Sequence, residues 1–298
     1  MSGRRVLVSG ATGFIGTPLV RALRDRGDEV TILTRGEAGD ERVHWDFEEG
    51  GLDPATLEGF DAVVHLAGES IAGLWIGGKK QRILDSRREG TELLTSTLAQ
   101  LEKKPEVFVS SGAVGFYGSR GDEVLTEDSG NGEGYLADVV RIWEDSAQPA
   151  RDAGIRTVNL RIGLVLAESG GVIGAVKPLF KLGAGGKLAS GGQWWSWVTL
   201  NDVVRAFLFA IDNPIAAGPY NVAAPSPVTN AEFTKELGKA LHRPTVLPAP
   251  KFALKLALRE MADEMLLASQ RVDATKIQEA GFEFDDVELR PTLSELFG

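Results

Sequence analysis

The sequence predicts an α/β protein built on a doubly wound parallel sheet, followed by a smaller α+β lobe. Three observations predict it. Apolar runs of strand length alternate with segments of helical period through the first half of the chain. A glycine cluster, Gly10-Ala11-Thr12-Gly13-Phe14-Ile15-Gly16, stands directly between the first such run and the first helical segment. After Gly163 the alternation gives way to a glycine-rich stretch, 168–192, that interrupts any long periodic element.

Taken in order, the first strand is expected at Arg5–Ser9, followed by a helix at Thr17–Arg26 with Thr17 as N-cap, Pro18 in the first turn and Gly27 as the stop. Strands follow at Glu29–Thr34, Arg42–Phe47 and Asp61–Leu66, then a long helix at Lys79–Leu101. A strand at Glu106–Ser111, a helix at Tyr135–Gln148 closed near Pro149 and Gly154, and a strand at Arg156–Arg161 complete the pattern. The nucleotide-binding domain is therefore placed at 1–165, with sheet-completing pieces from 196–224, and the smaller lobe at 166–298. That lobe reads as a helix at Asn201–Asp212, a strand at Pro219–Val222, and a helix at Asn230–Leu241 capped by Thr229 or Asn230. A stiff connector, Arg243–Pro250, precedes the helically spaced Lys251–Gln270, whose Phe252, Leu256, Met261 and Met265 read as packing.

Composition narrows the function. With 298 residues, 43% hydrophobic and 25% charged, the chain can bury a sizeable core and is not a disordered polymer. A net charge of −10 repels phosphate backbones, so nucleic acid and anionic membranes are not expected partners. No apolar run approaches the ~20 residues of a membrane span, and Met1–Arg5 leads into a strand without a signal-peptide core, so a cytoplasmic location is expected. The absence of cysteine removes thiol catalysis and thiolate metal sites. His44, His65 and His242 lack ligand spacing, and no metal site is expected.

The glycine cluster carries the first functional reading. Its glycines allow a tight turn, close approach of backbone to a pyrophosphate and close packing of helix on strand, while the helix N-terminus offers unpaired N–H groups. Strand, glycines and helix in this order give a Rossmann-like dinucleotide site, with Gly10, Thr12, Gly13, Phe14, Ile15 and Gly16 against the cofactor. At the end of the second strand an acidic residue would bond a ribose hydroxyl; Thr34-Arg35-Gly36 stands there instead. Arg35 offers a permanently charged fork to a 2′-phosphate, so NADP(H) is expected in preference to NAD(H).

These residues resemble the extended short-chain dehydrogenases/reductases, which include nucleotide-sugar epimerases and dehydratases. The resemblance rests on the glycine spacing, on His65-Leu66-Ala67-Gly68, and on Ser110-Ser111-Gly112 with Tyr117-Gly118. A narrower likeness covers nearly the whole chain. Leu66-Ala67-Gly68-Glu69, Asp85-Ser86-Arg87, Trp143-Glu144, Tyr220-Asn221-Val222, Thr229-Asn230-Ala231-Glu232-Phe233 and Leu241-His242-Arg243-Pro244 are similar to the atypical 39U branch, which includes YfcH-like bacterial proteins and carries a small C-terminal domain of unknown function. The resemblance implies that Leu66 and Ala67 line the adenosine side and that Arg82, Arg87 and Val165 reach the dinucleotide; Gly68, next to them, is counted with the cofactor-binding residues.

Hydride-transfer members of that superfamily pair a tyrosine with a lysine four residues on. Tyr135 stands where the tyrosine belongs, but Val139 occupies the lysine position, and no lysine lies between Lys104 and Lys177. An unassisted phenol with a pKa near 10 is only about 0.1% ionised at pH 7, a poor general base, yet a neutral one can donate to a developing alkoxide. The branch's hydroxyl residue aligns with Gly112, leaving Ser111, or Ser110 on the other face of the strand, as substitutes. Glu69, after a glycine at a strand's carboxyl end, is the third catalytic candidate. Sugar-nucleotide epimerases place an arginine where Trp195 stands, so Trp194, Trp195 and Trp197 read as aromatic walls for a flatter, less polar substrate.

The expected function is NADP(H)-dependent oxidation or reduction of a small, relatively apolar carbonyl or alcohol. The alternatives are a catalytically depleted redox-sensing NADP(H)-binding protein and, third, a nucleotide-sugar epimerase or dehydratase. A small-molecule substrate is the expected partner, and a homodimer through the long helices is an arrangement common in the superfamily.

Overall fold

The computed structural model describes residues 3–49, 51–181 and 185–297. In chain order the elements are β1 (Arg5–Ser9), α1 (Gly16–Asp25), β2 (Glu29–Thr34), β3 (Arg42–His44), β4 (Ala62–His65), α2 (Lys79–Gln100), β5 (Val107–Ala113) and β6 (Val124–Leu125). Then come α3 (Tyr135–Asp145), α4 (Gln148–Asp152), β7 (Arg156–Ile162), β8 (Leu164–Leu166), α5 (Gly171–Lys181), β9 (Trp194–Trp195), β10 (Trp197–Thr199) and α6 (Leu200–Asp212). The chain ends with β11 (Gly218–Val222), β12 (Val228–Thr229), α7 (Asn230–Ala240), α8 (Lys251–Leu258), β13 (Arg271–Val272), α9 (Thr275–Glu279) and α10 (Leu289–Phe297).

Among the described residues seven strands form one parallel sheet in the order β11-β7-β5-β4-β1-β2-β3. Its strands read as continuous apolar runs because both faces are covered. Val6, Val8, Val64 and Val109 pack under α1 and α6, while Leu7, Val63 and Phe108 pack under α2 and α4. Strand order reverses between β1 and β4, the place where open α/β sheets form their ligand crevice. Helix α7 opens on a full capping box, Thr229 and Glu232 satisfying each other's backbone amides.

Several local expectations need correction. Thr17 is not the N-cap of α1, which starts at Gly16 with no side-chain cap; the Thr17 hydroxyl turns back to the Ala11 carbonyl. The third strand stops at His44 rather than Phe47. Pro149 opens α4 instead of closing α3, a position where a missing N–H costs nothing. The glycine-rich stretch contains α5, with Pro178 inside it. The Lys251–Gln270 helix is split, because Arg259 takes φ 54° and a π-helical turn follows at Ala262–Leu266. Phe252 and Leu256 are 74% and 82% exposed, so they are not packing residues, whereas Met261 and Met265 are half-buried. Among the described residues no helix is long and apolar enough to cross a membrane.

Candidate functional site: a dinucleotide cleft and a clamped tyrosine

A cleft of about 640 Å³ opens at the carboxyl ends of β1, β2 and β4. Its floor is the glycine turn. Gly10 has φ 66°, and a Cβ there would stand 2.7 Å from the carbonyl carbon of Leu66, so the turn lies directly against the end of β4. A Cβ on Gly16 would meet the Gly10 carbonyl oxygen at 2.1 Å, which locks α1 onto the turn. Gly13 differs: its Cβ would meet only that same oxygen, at 3.1 Å, and its free side faces the cleft. With no side chain capping α1, the N–H groups and positive end of its first turn remain for an anion. This cradle fits the pyrophosphate of a dinucleotide.

At the β2 end, Arg35 is exposed on the cleft wall and makes no hydrogen bond, ion pair or ring contact with a described residue, while the Thr34 hydroxyl accepts the Gly36 amide at 3.1 Å. Glu37 is not part of the wall. Ile32, Trp45 and Phe47 give the cleft apolar lining, and Leu66, Ala67, Gly68, Arg82 and Asp85 also line it. Beneath them the Ser9 hydroxyl accepts the amides of Leu66 and Ala67 at 3.1 and 3.2 Å, so its proton goes to His65 Nδ1 at 2.7 Å. That bond leaves the proton of the neutral ring on Nε2. Burial holds His65 neutral, its pKa brought down to about 3 by loss of water and then by the Arg87 charge. The Ser9–His65 brace and the Trp45–Phe47 wall escaped the sequence reading because strand-end and loop aromatics carry no periodic signal.

The cleft ends at Glu69, whose amide is held by the Ser86 hydroxyl at 2.9 Å and whose carbonyl takes Arg87 Nη1 at 3.0 Å. Arg87 lies over the Trp143 ring, 4.8 Å from its centroid, and within van der Waals reach of Gly68. Burial brings its pKa down to about 10, opposed by the nearby Tyr135 and Glu69. Tyr135, at the start of α3, donates its O–H to the Lys80 carbonyl, lies under the Lys80 ammonium at 4.3 Å and meets the edge of Trp75 at 5.2 Å. Burial pushes the phenol up to about 12, with Arg87 opposing and Glu260, Asp85 and Glu264 adding to the rise. Val139 is buried in the lysine position. Trp75, Lys80 and Glu264 are site residues that the sequence did not reveal, since they come from a loop, a helix start and the C-terminal lobe.

The other expected residues separate. The Ser110 hydroxyl is buried and committed to Asn159 at 2.8 Å, which removes it as a substitute. A Cβ at Gly112 would sit 3.5 Å from the Glu144 carboxylate, so that face of β5 is filled by the Glu144–Arg161 ion pair. Ser111, on the opposite face, is half-buried and its hydroxyl bonds no described residue. Phe14 packs its ring on the Gly170–Gly171 turn, and the Ile15 side chain belongs to the core. Val165 pairs with Val198 in a small ladder, its carbonyl beside Gly171. Of the expected aromatic wall, Trp197 drops out: it is fully buried with its indole N–H on the Ser226 carbonyl, because β10 runs into the core. Trp195 packs edgewise on Phe233 at 5.1 Å, and Trp194 bonds Asp122 beneath Arg271. None of the three lines the cleft.

A seven-stranded parallel sheet with this glycine cleft at its switch point, and a tyrosine helix beside it, defines an NAD(P)-binding protein of the extended short-chain dehydrogenase/reductase class. Residues 6–223 match the NAD dependent epimerase/dehydratase family, and residues 249–296 match a domain of unknown function, DUF1731; the chain belongs to that epimerase family. It is 42% identical over 286 residues to epimerase family protein Mb2239 of Mycobacterium bovis, covering 95% of this chain and 94% of that one. It is 38% identical over 288 residues to the chloroplastic SDR39U1 homolog of Arabidopsis thaliana, covering 94% and 82%. Human epimerase family protein SDR39U1, whose crystal structure contains NADPH, superposes with a TM-score of 0.90 at 33% identity over 98% of both chains.

Proposed function

We propose that the protein is an NADP(H)-dependent reductase of a small, relatively apolar carbonyl compound. The observation that carries the reading is the placement of Tyr135: a phenol held at the start of α3 between Lys80 and Trp75, which burial keeps protonated, so that it can donate a proton and is no base. It sits next to Arg87, which reaches back to Glu69 at the end of the dinucleotide cleft. The glycine turn holds the pyrophosphate and Arg35 the 2′-phosphate, in keeping with a similar human protein that was crystallised with NADPH. Bound there, the reduced dinucleotide supplies the hydride. Tyr135 protonates the substrate oxygen as it gains charge, and Arg87 steadies the phenolate that results until solvent restores its proton. Trp75 gives the site its apolar, aromatic side, while Ser111 stands on the face of β5 away from α3 and has no part in holding the substrate oxygen.

A second reading has its own support. Val139 in place of a lysine and a Tyr135 hydroxyl already committed to the Lys80 carbonyl favour a depleted, redox-sensing NADP(H)-binding protein. The two separate in one experiment: NADPH consumption with a broad panel of aldehydes and ketones, for the native chain and Tyr135→Phe. Turnover lost in Tyr135→Phe supports the reductase. Turnover that survives the substitution removes Tyr135 as the acid, and tight NADPH binding with no turnover leaves the sensor.

A further inference from the structure

We propose that the C-terminal domain of unknown function is the closing half of the reaction site, and that Glu264 is a positioning residue that fixes the tyrosine helix. The inference rests on the reading of Tyr135 as proton donor and adds the element that aims it.

Helix α3 has no cap from its own segment: Gly134 stands at the N-cap position and offers no side chain. The amides of Tyr135 and Leu136 instead donate to the two carboxylate oxygens of Glu264, at 3.1 and 3.0 Å, from 129 and 128 residues further along the chain. Gly134 makes room for this. Its φ is 115°, and a Cβ there would stand 2.7 Å from Glu264 Oε1. A carboxylate on the first-turn amides is also the charge that the helix dipole favours.

The same short segment grips the ring of the tyrosine. Glu260 takes the Lys80 ammonium at 2.8 and 3.0 Å, and that ammonium lies 4.3 Å over the Tyr135 ring. Glu260 and Glu264 are presented by an irregular turn, opened by Arg259 at φ 54° and wound as a π-helix through Leu266. π-helical turns are frequent at functional sites. Just beyond it the chain is fastened to the nucleotide-binding domain. Ser269 bonds Ser119, Gly121 and Trp194, and β13 pairs with β6. Backbone and ring of Tyr135 are thus both held from the C-terminal unit, and the two acidic groups that hold them also help to keep the phenol protonated.

The experiment is a graded series, Glu264→Gln and Glu264→Ala, in the full chain with NADPH bound. Because the sequence has three tyrosines, Tyr117, Tyr135 and Tyr220, labelling their Cζ carbons gives three resonances, and Tyr135→Phe identifies one of them. The expected result is a Tyr135 resonance displaced in Glu264→Gln, where the amide group opposes one of the two backbone donors, and displaced further in Glu264→Ala. The Tyr117 and Tyr220 resonances stay in place and the NADPH dissociation constant stays within about twofold of native. On the aldehyde and ketone panel kcat falls in the same order, at least tenfold in Glu264→Ala, with a smaller change in carbonyl KM.

A Tyr135 resonance unmoved across the series overturns the proposal, as does an equal shift of all three resonances with loss of NADPH binding in Glu264→Gln, which marks a purely structural cap. Full turnover in Glu264→Ala, where Tyr135→Phe abolishes it, overturns the proposal as well. Full turnover in Tyr135→Phe strikes the proton-donor reading alone, and the hold on the helix is then judged by the resonance.

Discussion

The ammonium of Lys80 lies over the ring of Tyr135, 4.3 Å from its centroid, while the phenol donates to the carbonyl of the same lysine. One residue at the start of α2 thus holds the first residue of α3 by both ends of its side chain. Lys80→Met keeps the carbonyl and removes the charge. The expected loss in stability is no more than about 1 kcal/mol, the scale of a half-exposed cation–π contact. The same variant frees the Glu260 carboxylate, and panel turnover is expected to fall several-fold while NADPH binding stays native. Equal turnover in Lys80→Met would show that the ring needs no cation above it.

Arg35 decides between the two dinucleotides. Its guanidinium stands free on the cleft wall, and a charge-assisted pair with a 2′-phosphate contributes roughly 1.5–3 kcal/mol. Arg35→Ala is expected to weaken NADPH about tenfold or more and to leave NADH nearly unchanged. Tryptophan quenching on titration with each nucleotide measures both constants, and parallel losses for the two would remove Arg35 from the phosphate.

The glycines of the turn separate folding from binding. In Gly16→Ala the new methyl group is forced to within 2.1 Å of a backbone oxygen, so α1 must shift off the turn and the melting temperature drops by several degrees. In Gly13→Ala the methyl has only a 3.1 Å neighbour and otherwise fills the cleft. That variant is expected to melt close to the native temperature and to lose dinucleotide binding. Calorimetry paired with the same titrations tests the contrast.

The Glu144–Arg161 pair is buried, with side-chain exposures of 12% and 4% and a closest approach of 2.8 Å. Arg161 Nη1 also donates to the Tyr117 hydroxyl at 3.0 Å, and Tyr117 in turn to Asn221 at 2.7 Å. Removing one partner strands a charge, so Arg161→Met is expected to cost about 3–5 kcal/mol in urea unfolding. The double variant Arg161→Met, Glu144→Leu recovers part of that loss; a double variant as unstable as the sum of the singles would show that the pair is not coupled.

His65 makes stability depend on pH. Its pKa is about 3 in the folded chain and near 6.5 when unfolded, so above pH 6.5 both forms are neutral and the group contributes nothing. Below that the unfolded state gains the proton and the folded state does not. Stability therefore falls with falling pH between 6.5 and 3, by roughly 1.4 kcal/mol per pH unit from this group. His65→Asn flattens that slope in urea titrations at pH 4.5 and 6.5, and an unchanged slope would mean that the ring protonates in place.

Much of the sheet was legible. β1, β2 and the long helix fell within a residue of their expected bounds, because a strand buried on both faces is an unbroken apolar run and a glycine turn between strand and helix has few alternatives. The segment from 168 to 192 misled, since its glycines masked α5. Trp197 misled for a different reason. Aromatic composition signals a large apolar surface but does not say whether a core or a ligand covers it, and here Trp197 went to the core.

The sequence by itself determined the doubly wound sheet, the dinucleotide cradle at Gly10–Gly16 and the place of Tyr135 at a helix start, all of them local patterns in which neighbouring residues define one another. Only the tertiary structure decided what surrounds that tyrosine. Lys80 approaches from a helix 55 residues earlier and Glu264 from a turn 129 residues later, and their contacts depend on the path of the chain between them. Burial followed from the same convergence, and with it the protonation of the phenol: an electrostatic field sums over neighbours in space, which no spacing along the sequence encodes.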